Sequence, residues 1–268
     1  MGETENCSDH EPARETGRRG LRPKTIYFRF GTRVLAGTGM QSDWYHPNVL
    51  HLRIHATLAG RLARALLCCL PSRLSSWLAS RFPEWALPAA VVLKRAKDDW
   101  EREFSTEVAA YKKLESIQGR VIPICYGETE YDGARALILS DIGGGCLSDP
   151  EGAVLTEPTL EPLLGAPLRA LTDRGIIHDD LKLDNFRLVE RGGVRKIMIV
   201  DLERIAESSN KRELDWSVLS SVDFLMELYH DHLDSLHHDG LLRIPWAEVE
   251  LSRATKRRRP ELKDLECL

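Results

Sequence analysis

The sequence predicts an α+β chain. Three observations carry this expectation. Period-two and β-branched runs crowd residues 25–54 and recur near 90–94, 121–127 and 134–140; one readable amphipathic helix, Asp98 to Ile117, interrupts them; and beyond residue 156 leucines at helical spacing take over, apart from one hairpin-like stretch. At 268 residues, 43% hydrophobic and 29% charged, the chain is long enough to bury a full core as one domain or two lobes.

Taken in order, residues 1–24 are polar, charged and poor in aromatics, the composition of a disordered leader. From Thr25, "TIYFRFGTRVLAG" sets two strand-like runs around Gly31-Thr32 and predicts a hairpin, and "NVLHLRIH" alternates as a strand does. A helical stretch follows over roughly 56–81. Its core, "ATLAGRLARALLCCL" from Ala56 to Leu70, is apolar but only fifteen residues long and carries Arg61 and Arg64, too short and too charged to span a bilayer. It reads as a packed helix in preference to one lying on a membrane surface. The two prolines of "FPEWALP" close it off and lead into "AAVVLK", a short strand ending in Lys94.

The helix over 98–117 starts Asp-rich and ends with Lys112 and Lys113, which suits its dipole. Phe104, Val108, Tyr111 and Leu114 form its apolar stripe, and Glu107 falls in angle inside that stripe. Its carboxylate either points into the protein, where it needs a cation, or snorkels at the stripe's edge. "VIPICYG" and "ARALILS" then read as strands joined through "ETEYDG", followed by the glycine-rich turn "DIGGGCLSD". Residues 157–174 are helical in pattern, but Pro162, Gly165 and Pro167 predict a kinked or late start. After the charged loop "GIIHDDLKLDNFRL", from Gly175 to Leu188, the stretch "NFRLVERGGVRKIMIVD" predicts a hairpin turning at Gly192-Gly193 and delivering Asp201 at a strand end. A last helix is expected over Trp216–His230. The "KRRRP" run at 256–260 reads as a solvated tail in preference to a nuclear localisation patch.

A formal net charge of −4 gives no bulk reason to expect nucleic acid or an anionic membrane as partner, so neither is expected. The six cysteines (7, 68, 69, 125, 146, 267) form no CxxC pair and the start is not a signal peptide, which predicts reduced thiols in an intracellular protein, cytoplasmic or nuclear, without zinc. The termini match neither a myristoylation nor a prenylation signal.

"VVLK", "FSTEVAAY", "HDDLKLDN" and "IVDLE" carry, in order, Lys94, Glu107, Asp180, Asn185 and Asp201. This order resembles the protein-kinase-like superfamily, most closely the short kinase-like proteins of filamentous fungi, over roughly residues 88–230. The resemblance implies a two-lobe fold: a small, mainly β N-lobe with one long helix over residues 25–139, including an atypical N-terminal extension, and a short, mainly helical C-lobe over 140–250, flanked by the leader 1–24 and the basic tail 251–268. It implies ATP and Mg²⁺ as cofactors and a protein or small-molecule hydroxyl as acceptor. Asp180 would orient the acceptor hydroxyl and Lys182 stabilise charge on the γ-phosphate. Lys94, paired with Glu107, would hold the α and β phosphates beside the hinge residues Ser140 and Ile142, and Asn185 and Asp201 would hold the metal. His178 would support the loop from below.

Phosphoryl transfer fits such a set physically, because it asks protein for position and charge neutralisation more than for covalent chemistry. The chain departs from the family pattern in three places. No G-x-G-x-x-G precedes Lys94, the nearest glycine pair being Gly37 and Gly39; Asp179 and "DLE" replace the usual Arg and D-F-G; and only thirteen residues separate Asp201 from Asp215, a compact link similar to that of aminoglycoside and choline kinases. Two classes stay open: an ATP-dependent phosphotransferase, and a catalytically weak pseudokinase that binds nucleotide or scaffolds.

Overall fold

β-Branched and aromatic residues at alternate positions build three antiparallel strands at the start of the ordered chain: β1 (Lys24–Phe30), β2 (Arg33–Gln41) and β3 (Val49–Ile54). The computed structural model describes residues 23–42 and 46–258, so the expected leader lies outside the described residues except at its last two positions, and residues 259–260 of the KRRRP run lie outside them too. The β1–β2 turn falls at Gly31-Thr32 as expected. Gly31 adopts φ +56°, and a Cβ there would lie 2.6 Å from the carboxyl carbon of Glu84, whose Oε1 accepts hydrogen bonds from the Thr32 amide and hydroxyl at 3.3 and 2.9 Å. Gly39, in mid-strand, has a different reason to be glycine: a Cβ would fall 1.8 Å from the carbonyl oxygen of His51 on β3.

The helical stretch expected over 56–81 is present but divided, and the packed helix expected within it over Ala56–Leu70 is corrected. Pro71 divides the stretch into α1 (Leu58–Cys69) and α2 (Ser72–Arg81), followed by the short α3 (Pro83–Ala86). Leu58, Leu62 and Leu66 of α1, instead of packing, are 78%, 66% and 67% exposed. No helix among the described residues is long and apolar enough to cross a membrane.

β4 (Ala90–Arg95) pairs antiparallel with β3. α4 (Glu101–Lys113) and a 3₁₀ turn (Glu115–Ile117) occupy most of the helix expected over 98–117, which starts only at Glu101 because Asp98 and Asp99 form a turn with Asp99 at φ +63°. β5 (Cys125–Tyr131) and β6 (Ala134–Ser140) form the next hairpin, with "ETEY" inside β5. The remainder comprises β7 (Gly145–Cys146), α5 (Glu157–Thr172), β8 (Ile176–His178), β9 (Phe186–Arg191), β10 (Val194–Ile199), β11 (Ile205–Glu207), α6 (Lys211–His238) and α7 (Trp246–Arg258). α5 runs through Pro162 and Pro167 without a break.

The α+β mix is as expected, but the kinase-like two-lobe fold with a small mainly β N-lobe is not what the chain adopts. The first six strands close into an antiparallel barrel in the order β1-β2-β3-β4-β6-β5, accompanied by two small sheets, β10-β9-β7 and β11-β8. The closing contact is β1 with β5, at Arg29 opposite Glu130, which removes the free edges an open sheet would keep. Motif order fixes the sequence of local elements; barrel closure is a non-local pairing that no local pattern encodes.

By contact the chain divides into two compact units. One comprises the described residues up to Arg95 with Thr129–Ala136, the other Ala96–Glu128 with the described residues from Leu137 onward. In the second unit α5 packs on α6, burying Leu160, Leu164 and Leu168 of α5 and Leu225, Tyr229 and Leu233 of α6, and Phe104, Tyr111 and Leu114 of the α4 region are likewise nearly or fully excluded from solvent. Burial of this kind, about 25 cal/mol per Å² of apolar surface, is what fixes the elements that present the polar residues described next.

Candidate functional site

The polar residues of the loop Gly175–Leu188 come together with the end of β10 in the second unit. β8 pairs with β11 at His178 opposite Ile205, and the Asp179 amide donates to the Arg204 carbonyl at 3.1 Å, so the loop leaves its strand beside the segment that follows Asp201. At the loop's other end the Val200 amide donates to the Asn185 carbonyl at 3.0 Å. Two backbone ties therefore hold Asp180 and Asp201 in one neighbourhood.

Two side chains of the loop hold Asp180. Lys182 Nζ lies 3.0 Å from its Oδ1 and 3.2 Å from its Oδ2, while Asn185 Nδ2 donates to Asp180 Oδ2 at 3.1 Å and to the Asp180 carbonyl at 2.8 Å. Burial pushes the Asp180 carboxyl upward, but the hydrogen bonds from Lys182 and Asn185 outweigh it and hold the carboxyl below its ordinary value. It is an ionised acceptor at neutral pH. With its Nδ2 committed to Asp180, Asn185 keeps the amide oxygen for another partner.

His178 lies beneath, nearly fully buried, and its Nε2 donates to the Asp201 carbonyl oxygen at 2.6 Å. Burial lowers its pKa, against the opposing pull of Asp201, Asp180 and Asp179, so the imidazole is a neutral strut rather than a charge.

Asp201 belongs to a group of three carboxylates. One oxygen from each of Glu107, Asp201 and Glu203 lies within 4.8 Å of the others. Glu107, which sequence angle placed inside the apolar stripe of α4, is fully buried there, and its Oε1 accepts from the Leu202 amide at 3.4 Å. It thus ties α4 to the residue after Asp201. The Glu203 amide donates to Asp201 Oδ1 at 2.9 Å, and Lys97 Nζ sits 2.6 Å from Glu203 Oε2 and over the Trp100 ring at 4.6 Å. Beside them Tyr111 is wholly buried, its hydroxyl pushed well above the usual range by burial first and then by Glu107, Cys125 and Asp201.

Lys97 and Glu203 were not expected in the site, and Tyr111 was expected only as part of the apolar stripe of α4. The signals were available: Glu203 is the acid of "DLE" two residues past Asp201, Lys97 lies three past Lys94, and Tyr111 one helical turn past Glu107. Of the remaining expected residues, Lys94 is a buried side chain on β4 of the first unit. Ser140 ends β6 with its amide donating to the Ile124 carbonyl at 2.8 Å and its hydroxyl accepting from the Ile124 amide at 2.9 Å. Ile142 is buried against Val189, Met198 and Val200.

The donor set suits a small, hard cation. Asp201, Glu107 and Glu203 supply carboxylate oxygens, a ligand type Mg²⁺ takes, and the ammonium of Lys97 already answers part of their charge. Lys97→Met, which keeps the aliphatic stem and removes that ammonium, is expected to cost about 1–3 kcal/mol, between an exposed and a buried pair because Lys97 is itself one third exposed. Urea unfolding of the two proteins measures this, with an unchanged midpoint as the contrary result.

No protein-family model and no curated protein matches the chain.

Proposed function

We propose that the protein is an ATP-dependent phosphotransferase that passes the γ-phosphoryl group to a hydroxyl of a protein or small molecule. The observation that carries this reading is the Asp180 carboxylate, ionised and clamped between Lys182 and Asn185, with Asp201 and two further carboxylates in the same neighbourhood. The reading rests on this site and on the motif order that resembles the kinase-like superfamily, not on a lobe arrangement.

The roles follow from the chemistry of each side chain. Asp180 orients the acceptor hydroxyl and takes its proton as the oxygen attacks phosphorus and the bond to the ADP oxygen breaks. Lys182, on both Asp180 oxygens, also offers N–H donors to charge developing on the transferred group. Asn185 and Asp201 would hold Mg²⁺, whose contribution when bound is to neutralise phosphate charge. Glu107 and His178 fix the backbone around Asp201 from two sides.

The motif order alone assigns Lys94, a buried side chain on β4, to the α and β phosphates. Lys94→Ala is expected to weaken ATP binding about 10- to 100-fold, the worth of a charge-assisted hydrogen bond. Calorimetric titration with ATP and Mg²⁺ tests it, and an unchanged dissociation constant would remove Lys94 from the site.

One observation favours the second reading, a pseudokinase that binds nucleotide or scaffolds without turnover. Gly37 and Gly39, the pair nearest upstream of Lys94, lie within β2, and Gly39 is glycine because the His51 carbonyl occupies its Cβ position. They are strand-packing glycines and not a phosphate-covering loop. Release of ADP from ATP by purified protein, with and without hydroxyl acceptors, separates the two: Mg²⁺-dependent turnover supports the phosphotransferase, and binding without turnover supports the pseudokinase.

A further inference from the structure

The helical segment between β3 and β4 turns an apolar face to solvent, led by Leu58, Leu62 and Leu66. On α1, Leu58, Leu62 and Leu66 follow at i, i+4 and i+8, and with Cys69 they span an arc of about 80° at 100° per residue. All four are exposed, whereas Gly60, on the opposite side, is buried. α2 adds Leu74 and Trp77, three apart on one face and 44% and 58% exposed, and Phe82 follows it at 42%. A packed globular helix shows the reverse pattern, with its apolar stripe inward.

Charge identifies the occupant. Residues 56–83 contain Arg61, Arg64, Arg73 and Arg81 and not one Asp or Glu, in a chain whose net charge is −4. The segment is therefore locally cationic against an acidic whole, and Arg61, Arg73 and Arg81 are exposed. Exposed leucines and an aromatic beside arginine, with no acid to repel phosphate, are the features of a helix that lies in the interface of an anionic bilayer. An acidic groove on a protein would satisfy the arginines but would not require the run of leucines to be so long.

We infer that α1 and α2 form a docking surface for anionic phospholipid membranes, with Leu58, Leu62 and Leu66 entering the headgroup boundary and the exposed Arg61, Arg73 and Arg81 pairing with lipid phosphates and carboxylates. The segment does not span the bilayer. The expectation of no membrane partner rested on overall charge and on a packed helix; the local charge has the opposite sign and the helix face is open. The surface lies wholly in the first unit, so it does not depend on the chemistry assigned to Asp180 and Asp201.

Co-sedimentation of the full chain, in reducing buffer, with phosphatidylcholine vesicles and with vesicles containing about 30% phosphatidylserine tests the inference. Binding is expected to the anionic vesicles only, and to fall as salt screens the arginines. Arg61→Gln with Arg73→Gln should lower partitioning about 25-fold, about fivefold for each charge removed near the surface. Leu62→Glu with Leu66→Glu should lower it at least as much; both side chains are exposed, and circular dichroism confirms that the variant folds. Should it not fold, the arginine variant decides alone. Equal binding to both vesicle types, or none to either, overturns the inference. So does a dimer in solution that the leucine variant dissociates without any vesicle binding by wild type, which would make the face a contact between copies of the chain.

Discussion

Asp180→Asn is expected to lower phosphoryl transfer by on the order of 10²–10⁴-fold while leaving ATP·Mg²⁺ binding nearly unchanged. The substitution keeps size and one acceptor oxygen, so the hydrogen bond from Asn185 Nδ2 has a partner still, and the Asp180 carbonyl that also receives Asn185 is untouched. The carboxylate that accepts the acceptor's proton is gone. Lys182 loses the anion that places its ammonium at 3.0 and 3.2 Å from the two oxygens, which adds to the loss of rate. Steady-state turnover together with a separate binding titration gives the required split. A fall in affinity equal to the fall in rate would assign Asp180 to nucleotide binding instead.

Asp201→Asn is expected to act in the opposite sense, removing Mg²⁺-dependent ATP binding and turnover together. The Glu203 amide can still donate to the Asn side-chain oxygen, and His178 bonds the Asp201 backbone carbonyl, so the local fold should persist. What changes is one negative charge in a group of three carboxylates, and with it the attraction for a divalent cation. For wild type, ATP at about 100 times its dissociation constant should stabilise the fold by about 2.7 kcal/mol. In the variant that stabilisation should be absent at the same concentrations. A full thermal shift in Asp201→Asn would show that the metal is held elsewhere.

Local features were legible because local rules decide them. Glu107 could be placed inside the α4 stripe from spacing alone, since 100° per residue is a property of the helix itself, and it is fully buried there. The turns at Gly31 and at Gly192-Gly193 followed from glycine's tolerance of positive φ, which both turns use. Barrel closure was not legible: the Arg29–Glu130 pairing joins strands a hundred residues apart, and nothing in either strand names the other. Nor was the exposure of α1, because a stripe at i, i+4 and i+8 looks the same whether it meets a core or a bilayer. α6 begins five residues earlier than expected, at Lys211, because the Asn210 side chain caps it by accepting from the Arg212 amide. Within the site, Asp180, Asn185 and Asp201 were readable as a motif. Lys97 and Glu203 were not, since their pairing depends on how the backbone after β4 meets the segment after β10.

The central claim is that Asp201 and its neighbours make a Mg²⁺-dependent nucleotide site, and titration calorimetry of ATP into the purified full chain, in Mg²⁺ and in EDTA, tests it most directly. The account predicts saturable binding in Mg²⁺ that is lost in EDTA and lost in Asp201→Asn. Absence of binding by wild type in Mg²⁺, or binding of equal strength in EDTA and in the variant, would contradict it.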